Sequence, residues 1–174
     1  MADNVSFEVF YNYKNQFLND ILTDDEIVSL IDEDFDLENG DRKSLVYSKV
    51  FPLEYVPETV EDAATYIMCD VDISKPYNSQ YIEVTLYVWV LMHKSLLLLP
   101  DGGGVRIDKI VSKIIDDING SRYYGLGELD LYSTRRISSV IADYQGRQIT
   151  FKATDTGRFY DPDKPTPKNR RRGV

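Results

Sequence analysis

Hydrophobic and polar residues alternate most regularly along Tyr81-Ile-Glu-Val-Thr-Leu-Tyr-Val-Trp-Val-Leu91. The even positions Ile82, Val84, Leu86, Val88 and Val90 are apolar, and all but Leu86 are β-branched. The odd positions Tyr81, Glu83, Thr85, Tyr87, Trp89 and Leu91 make an amphipathic set. Successive side chains of a strand point to opposite faces, so the pattern predicts a strand with one core face and one partly exposed face. Branched Cβ atoms suit a pleated surface and strengthen that reading. At about 3.3 Å per residue the stretch spans roughly 36 Å, long enough for the central strand of a sheet.

Helical spacing governs two other regions. Phe10, Tyr13, Phe17 and Ile21, with Leu18 and Leu22, recur at the period of an amphipathic helix. Thr23-Asp-Asp-Glu26 then has the form of a capping box, with Thr23 accepting from the Glu26 amide. It opens a short helix over 24–32 that buries Ile27, Leu30 and Ile31. Ile107, Ile110, Val111, Ile114, Ile115 and Ile118 form one stripe of a third helix, opposite Asp108, Lys109, Ser112, Lys113, Asp116 and Asp117. Gly120 follows as its left-handed terminator. Burial of six aliphatic side chains corresponds to a gross gain of roughly 9–18 kcal/mol before entropy, so this helix must cover the sheet.

The remaining strands are shorter. Residues 45–51 read as a strand stopped by Pro52, and residues 58–64 as one helical turn. Along 65–73, Thr65, Ile67, Cys69, Val71 and Ile73 form a core face opposite Tyr66, Met68 and Asp70. The turn-rich connector 74–79 leads from this strand into the long one, so the two pair as an antiparallel hairpin. Tyr123-Tyr-Gly-Leu-Gly127 leads into a strand over 128–133. Residues 138–142 and 147–153 read as a second hairpin, turning at Tyr144-Gln-Gly146. The expected fold is α+β: one mostly antiparallel sheet packed by the 107–118 helix and by N-terminal helices. A single domain fills residues 1–160, followed by an extended Pro- and Arg-rich arm over 161–174 that ends in Arg170, Arg171 and Arg172.

Charge sharpens this picture. The net charge of −9 is uneven: residues 1–80 hold 18 acids against 5 bases, whereas residues 161–174 hold 2 acids against 5 bases. An acidic first half argues against a dedicated nucleic-acid binder. An acidic end and a basic end suit head-to-tail contacts between identical copies, although acidic surface also serves solubility alone. Thirteen tyrosines against one tryptophan fit either wet interfaces or sheet filling. The lone cysteine, Cys69, excludes an internal disulfide. No basic segment followed by an apolar one marks a signal peptide, and no apolar run reaches the ~20 residues of a spanning helix, so synthesis in the cytoplasm without membrane association is expected.

Candidate chemistry is sparse. Read as a calcium loop, residues 32–41 put Leu37 or Asn39 where glycine belongs and Lys43 or Leu45 where a bidentate Glu belongs. The Pro100-Asp-Gly-Gly-Gly104 stretch lacks the Gly-Lys-Ser/Thr ending of a phosphate loop and reads as a flexible loop. His93 is the only histidine, and with Asp70 and Asp72 it makes the one titratable group open to an enzyme reading. No catalytic residue, cofactor or metal site is expected. Tyr87 and Trp89 on the second face of the long strand are candidates for subunit contact. Arg135 and Arg136 are candidates for gripping a carboxylate or phosphate, with solvated surface the alternative. Arg170, Arg171 and Arg172 could lie across a neighbour's acidic surface, touch DNA or remain disordered.

Three features complete a recognisable order: Arg106-Ile-Asp108 opening a helix after a glycine loop, the isoleucine stripe that follows, and Gly125-Leu-Gly-Glu-Leu-Asp-Leu-Tyr132. Over about residues 7–155 this order resembles the tail-terminator and related neck proteins of tailed bacteriophages. The resemblance implies a helix-against-sheet fold and a structural role without catalysis. It also implies assembly as a homo-oligomeric ring, usually a hexamer, that joins the tail tube to the head connector. DNA would pass through the lumen without specific binding. The chain would reside in the host cytoplasm during assembly and then in the virion neck. A head-completion or connector protein of the same neck, and a small intracellular protein-binding module, are the alternatives.

Overall fold

The computed structural model describes residues 8–54, 63–74, 81–100, 102–124, 127–138 and 143–155. Among them are three α-helices, α1 (Glu8–Thr23), α2 (Asp25–Ile31) and α3 (Arg106–Ile118), and five strands: β1 (Val50–Phe51), β2 (Thr65–Ser74), β3 (Ile82–His93), β4 (Asp130–Ser138) and β5 (Tyr144–Asp155). The strands form one sheet in the order β1-β2-β3-β5-β4. Only the β1–β2 pair is parallel; β2–β3, β3–β5 and β4–β5 are antiparallel. The fold is therefore α+β with one mostly antiparallel sheet, and β3 lies at its centre, as the alternation predicts. The β2–β3 register, from Thr65↔Met92 to Ser74↔Glu83, is the expected hairpin pairing.

All three helices pack on one face of this sheet. The even positions of β3, including Leu86, Val88 and Val90, are fully buried there with Ile67, Cys69, Ile149 and Phe151. Phe17 and Ile21 of α1, Ile27 and Val28 of α2, and Ile110, Ile114 and Ile118 of α3 complete the core. Burial pushes the Cys69 thiol up to about 12, as expected of an inert packed cysteine. Tyr13 and Tyr124 stack within this layer at 6.1 Å, and their hydroxyls donate to Asp155 and Asp20, respectively. Burial, reinforced by those carboxylates, pushes both phenols well above their ordinary range.

Several local expectations are corrected. The capping box slides by one residue: Asp24, not Thr23, is the N-cap of α2 and accepts from Ile27 N–H at 2.8 Å. Thr23 instead donates its hydroxyl to Asn19 O and Asp20 O as the last residue of α1. The strand expected over 45–51 shrinks to β1. Asp41 accepts from Lys43 N–H and starts a 3-10 turn at Arg42–Leu45, and Tyr47 takes a positive φ of 63°. The 138–142 and 147–153 hairpin is also redrawn. The strand expected to end at Ser133 continues to Ser138, and Tyr144-Gln-Gly146 lies inside β5 instead of at a turn.

The glycine segment is a hydrogen-bonded hairpin rather than a free loop. Leu98 pairs with Val105, Gly102 N–H donates to Leu99 O, and Arg106 N–H donates to Leu97 O at 2.7 Å where α3 begins. Gly102 and Gly104 have φ of 73° and 108°, which glycine adopts without a Cβ penalty. In the 32–41 loop, Asp36 accepts from the N–H groups of Glu38 and Asn39, and these bonds hold its carboxyl below the usual range. It is a turn former. The turn proposed over 58–64 lies almost wholly outside the described residues, as do most of the 74–79 connector, Gly125 and Leu126, residues 139–142 and the 161–174 arm.

Candidate subunit interface

The face of the sheet opposite the helices carries three of the seven expected contact residues, Tyr87, Trp89 and Arg135. Cross-strand register sets its rows: Tyr66, Leu91, Gly146 and Ile137; then Met68, Trp89, Gln148 and Arg135; then Asp70, Tyr87, Thr150 and Ser133. Thr85 follows, between Asp72 and Lys152. The face grades from apolar to charged along the strands. At its apolar end Phe51, Met68, Leu91 and Tyr144 are buried together, with Tyr66, Trp89 and Ile137 packed on them. Tyr87 and Trp89 occupy the middle, half-buried, with rings stacked at 5.8 Å.

The charged end is also ordered. Lys152 Nζ pairs with Glu83 at 2.9 Å and sits 4.4 Å above the Tyr132 ring. The Glu83 hydrogen bond raises the lysine's pKa despite some desolvation. Asp72, Glu83, Tyr87, Tyr132, Arg135 and Lys152 border a shallow depression of about 420 Å³. Asp70 is paired with Lys14 and Lys152 with Glu83, which leaves Asp72 on β2 and Arg135 on β4 as opposite charges without an ion pair among the described residues, on opposite sides of the face.

The two arginines of Thr134-Arg-Arg136 part company. Arg135 belongs to this face, and its Nε donates to the buried Gln148 side chain. Arg136 points to the helix side, opposite Arg147, because neighbours in a strand face opposite ways. Arg147 is held by Asp108 of α3 at 2.9 Å. The pair therefore cannot grip one carboxylate or phosphate from a single surface. Tyr87, Trp89 and Arg135 are brought together; Arg136 is not; Arg170, Arg171 and Arg172 lie outside the described residues. Asp70 lies on the non-core face of β2 as the alternation predicts, and Asp72, two residues on, joins it by the same period.

The titratable group of Asp70, Asp72 and His93 does not assemble. Asp70 is opposite Tyr87, six residues along β3 from His93, or about 20 Å. His93 Nδ1 lies 2.7 Å from Ser95 Oγ, and its ring meets Tyr144 edge-on at 5.4 Å. Asp70 pairs with Lys14 of α1 at 2.6 Å.

Part of the acidic first half is neutralised by basic residues of α3. Lys113 of α3 pairs with Asp24 at 2.9 Å and Asp117 at 2.8 Å; Lys109 pairs with Glu26 at 3.0 Å; Arg106 pairs with Glu33. These contacts tie α2 to α3 over the core. No helix among the described residues is long and apolar enough to cross a membrane.

A search of curated proteins returns no match. The YomW family model matches residues 24–153, from the cap of α2 to two residues short of the end of β5. That span takes in β1 to β4, nearly all of β5 and the two helices joined by ion pairs. The chain belongs to the YomW family, whose name is of prophage origin, and is a phage-associated protein.

Proposed function

We propose that the chain is a structural protein of a tailed-phage neck, the tail-terminator ring that joins the tail tube to the head connector, and that it acts without catalysis or cofactor. The observation that carries this reading is the sheet face left bare by the helices. It presents the stacked Tyr87–Trp89 pair between an acidic and a basic border, on a rigid layer anchored by a full core. Opposite charges on opposite borders of one surface suit heterologous contacts, which close into rings when the rotation permits. Membership of a phage-associated family and the order of elements around the Arg106-Ile-Asp108 helix start support the same role.

The mechanism is geometric. Copies meet along the charged borders of this face, the ring caps the tube, and an acidic lumen wall would let DNA pass without adhering. Co-sedimentation of the purified chain with tail tubes lacking their terminus tests the role. Binding to tube ends that restores head joining is expected. Binding only to filled heads would assign the chain to head completion, and binding to neither would end the neck reading.

A further inference from the structure

Among the described residues the sheet has two open strand edges, and they match: β4 is paired only with β5, and β2 beyond Met68 has no neighbour on its β1 side. The hydrogen-bonding groups on these edges follow from alternation. Ile67 N–H bonds to Lys49 O on the β1 side, so Cys69, Val71 and Ile73 also direct their backbone groups outward. His93 N–H bonds to Ala64 O, on the β2 side of β3. Counting across the registers of β3, β5 and β4, Ser133, Arg135 and Ile137 bond inward to β5, while Thr134 and Arg136 face outward.

We propose that residues 133–138 of β4 in one copy pair antiparallel with residues 69–74 of β2 in the next copy, running the sheets together around the ring. The proposal rests on the ring reading and specifies its joint. Both free stretches are six residues long, and strand directions in the sheet make the junction antiparallel when all copies face the same way. Full overlap places the outward residues Thr134 and Arg136 opposite Ile73 and Val71 of the next copy. It then sets Arg135 directly opposite Asp72, on the bare face, in a closely spaced non-hydrogen-bonded pair.

The charges involved are available. Neither Arg135 nor Arg136 forms an ion pair among the described residues, and neither does Asp72, which is exposed. Tyr87, on the strand next to β2, borders the same junction. In the single chain Asp70 accepts from Val71 N–H at 2.8 Å, a guard against indiscriminate pairing at that edge that the docking strand displaces. Leu131 N–H is similarly occupied by Asn119 Oδ1, which limits the open part of β4 to the residues beyond its bulge.

Three variants, Asp72→Arg, Arg135→Glu and Thr134→Pro, test the joint by light scattering, with circular dichroism to verify folding. A proline at Thr134 removes only an outward N–H, which an edge strand tolerates. Each variant alone should raise the concentration needed for assembly by about tenfold or more, as expected for loss of a charge pair or an edge hydrogen bond. An equimolar mixture of Asp72→Arg and Arg135→Glu should assemble better than either alone, because alternating copies recover an opposite-charge pair at every second joint and the wild-type pair at the others. Folded variants that assemble like the wild type, or a mixture that gains nothing, would overturn the joint while leaving the ring reading intact. A wild-type chain that remains monomeric would overturn both.

Discussion

A Cβ on Gly146 would meet Ile137 Cγ1 at 2.4 Å and Leu91 Cδ2 at 2.7 Å, because these side chains close over it from both neighbouring strands. Gly146→Ala should therefore destabilise the fold by about 1–3 kcal/mol, the usual range for overpacking, in urea denaturation. An unchanged midpoint would show that Ile137 moves aside freely. Asp24 offers a second test at this scale. Burial works against its charge, but the Ile27 N–H bond and Lys113 outweigh it and hold its pKa below the ordinary carboxylate value. A depressed carboxylate stabilises the fold above its unfolded pKa, and that contribution is lost as pH falls through the folded value. Asp24→Ala should cost about 0.5–2 kcal/mol at neutral pH, and the melting difference from wild type should close in strong acid. A difference that persists in acid would show that the charge is not what the cap contributes. Thr23 and Asp24 both cap helices well, so sequence alone could not choose between them. The opposite facing of Arg135 and Arg136 follows from alternation, and was hidden only because the strand was expected to stop at Ser133.

Among the elements, those with an unbroken apolar period were legible. β2, β3 and α3 lie within a residue or two of their expected bounds, since each carries a long stripe that only one period satisfies. The segment at 45–51 was not legible: its β-prone composition lost to the Asp41 cap and the hydrogen-bonded turn before Val50. β4 was truncated because Thr134-Arg-Arg136 is polar on both faces, as an edge strand with one neighbour can be. The bare face was visible as the odd positions of β3, but its borders were not, since register brings Asp72 and Lys152 beside Thr85 across three strands. Within α3 the core position is the decisive one. Ile114→Ala should cost about 2–5 kcal/mol in chemical denaturation, and half-buried Ile115→Ala clearly less. Equal costs would mean that α3 does not seat on the sheet as described.

At the scale of the whole molecule, charge acts twice. Within one chain it staples α2 to α3, and between chains it sets Asp72 against Arg135. Contacts between exposed charges weaken as salt shortens the Debye length, so self-association should decline with added sodium chloride while the fold, carried by its apolar core, persists. Assembly that strengthens with salt would instead point to an apolar interface centred on Tyr87 and Trp89. The most direct test of the account is the mass of the wild-type chain by light scattering over a wide concentration range at low salt. A closed oligomer of one fixed size is predicted, and a monomer at every concentration would contradict it.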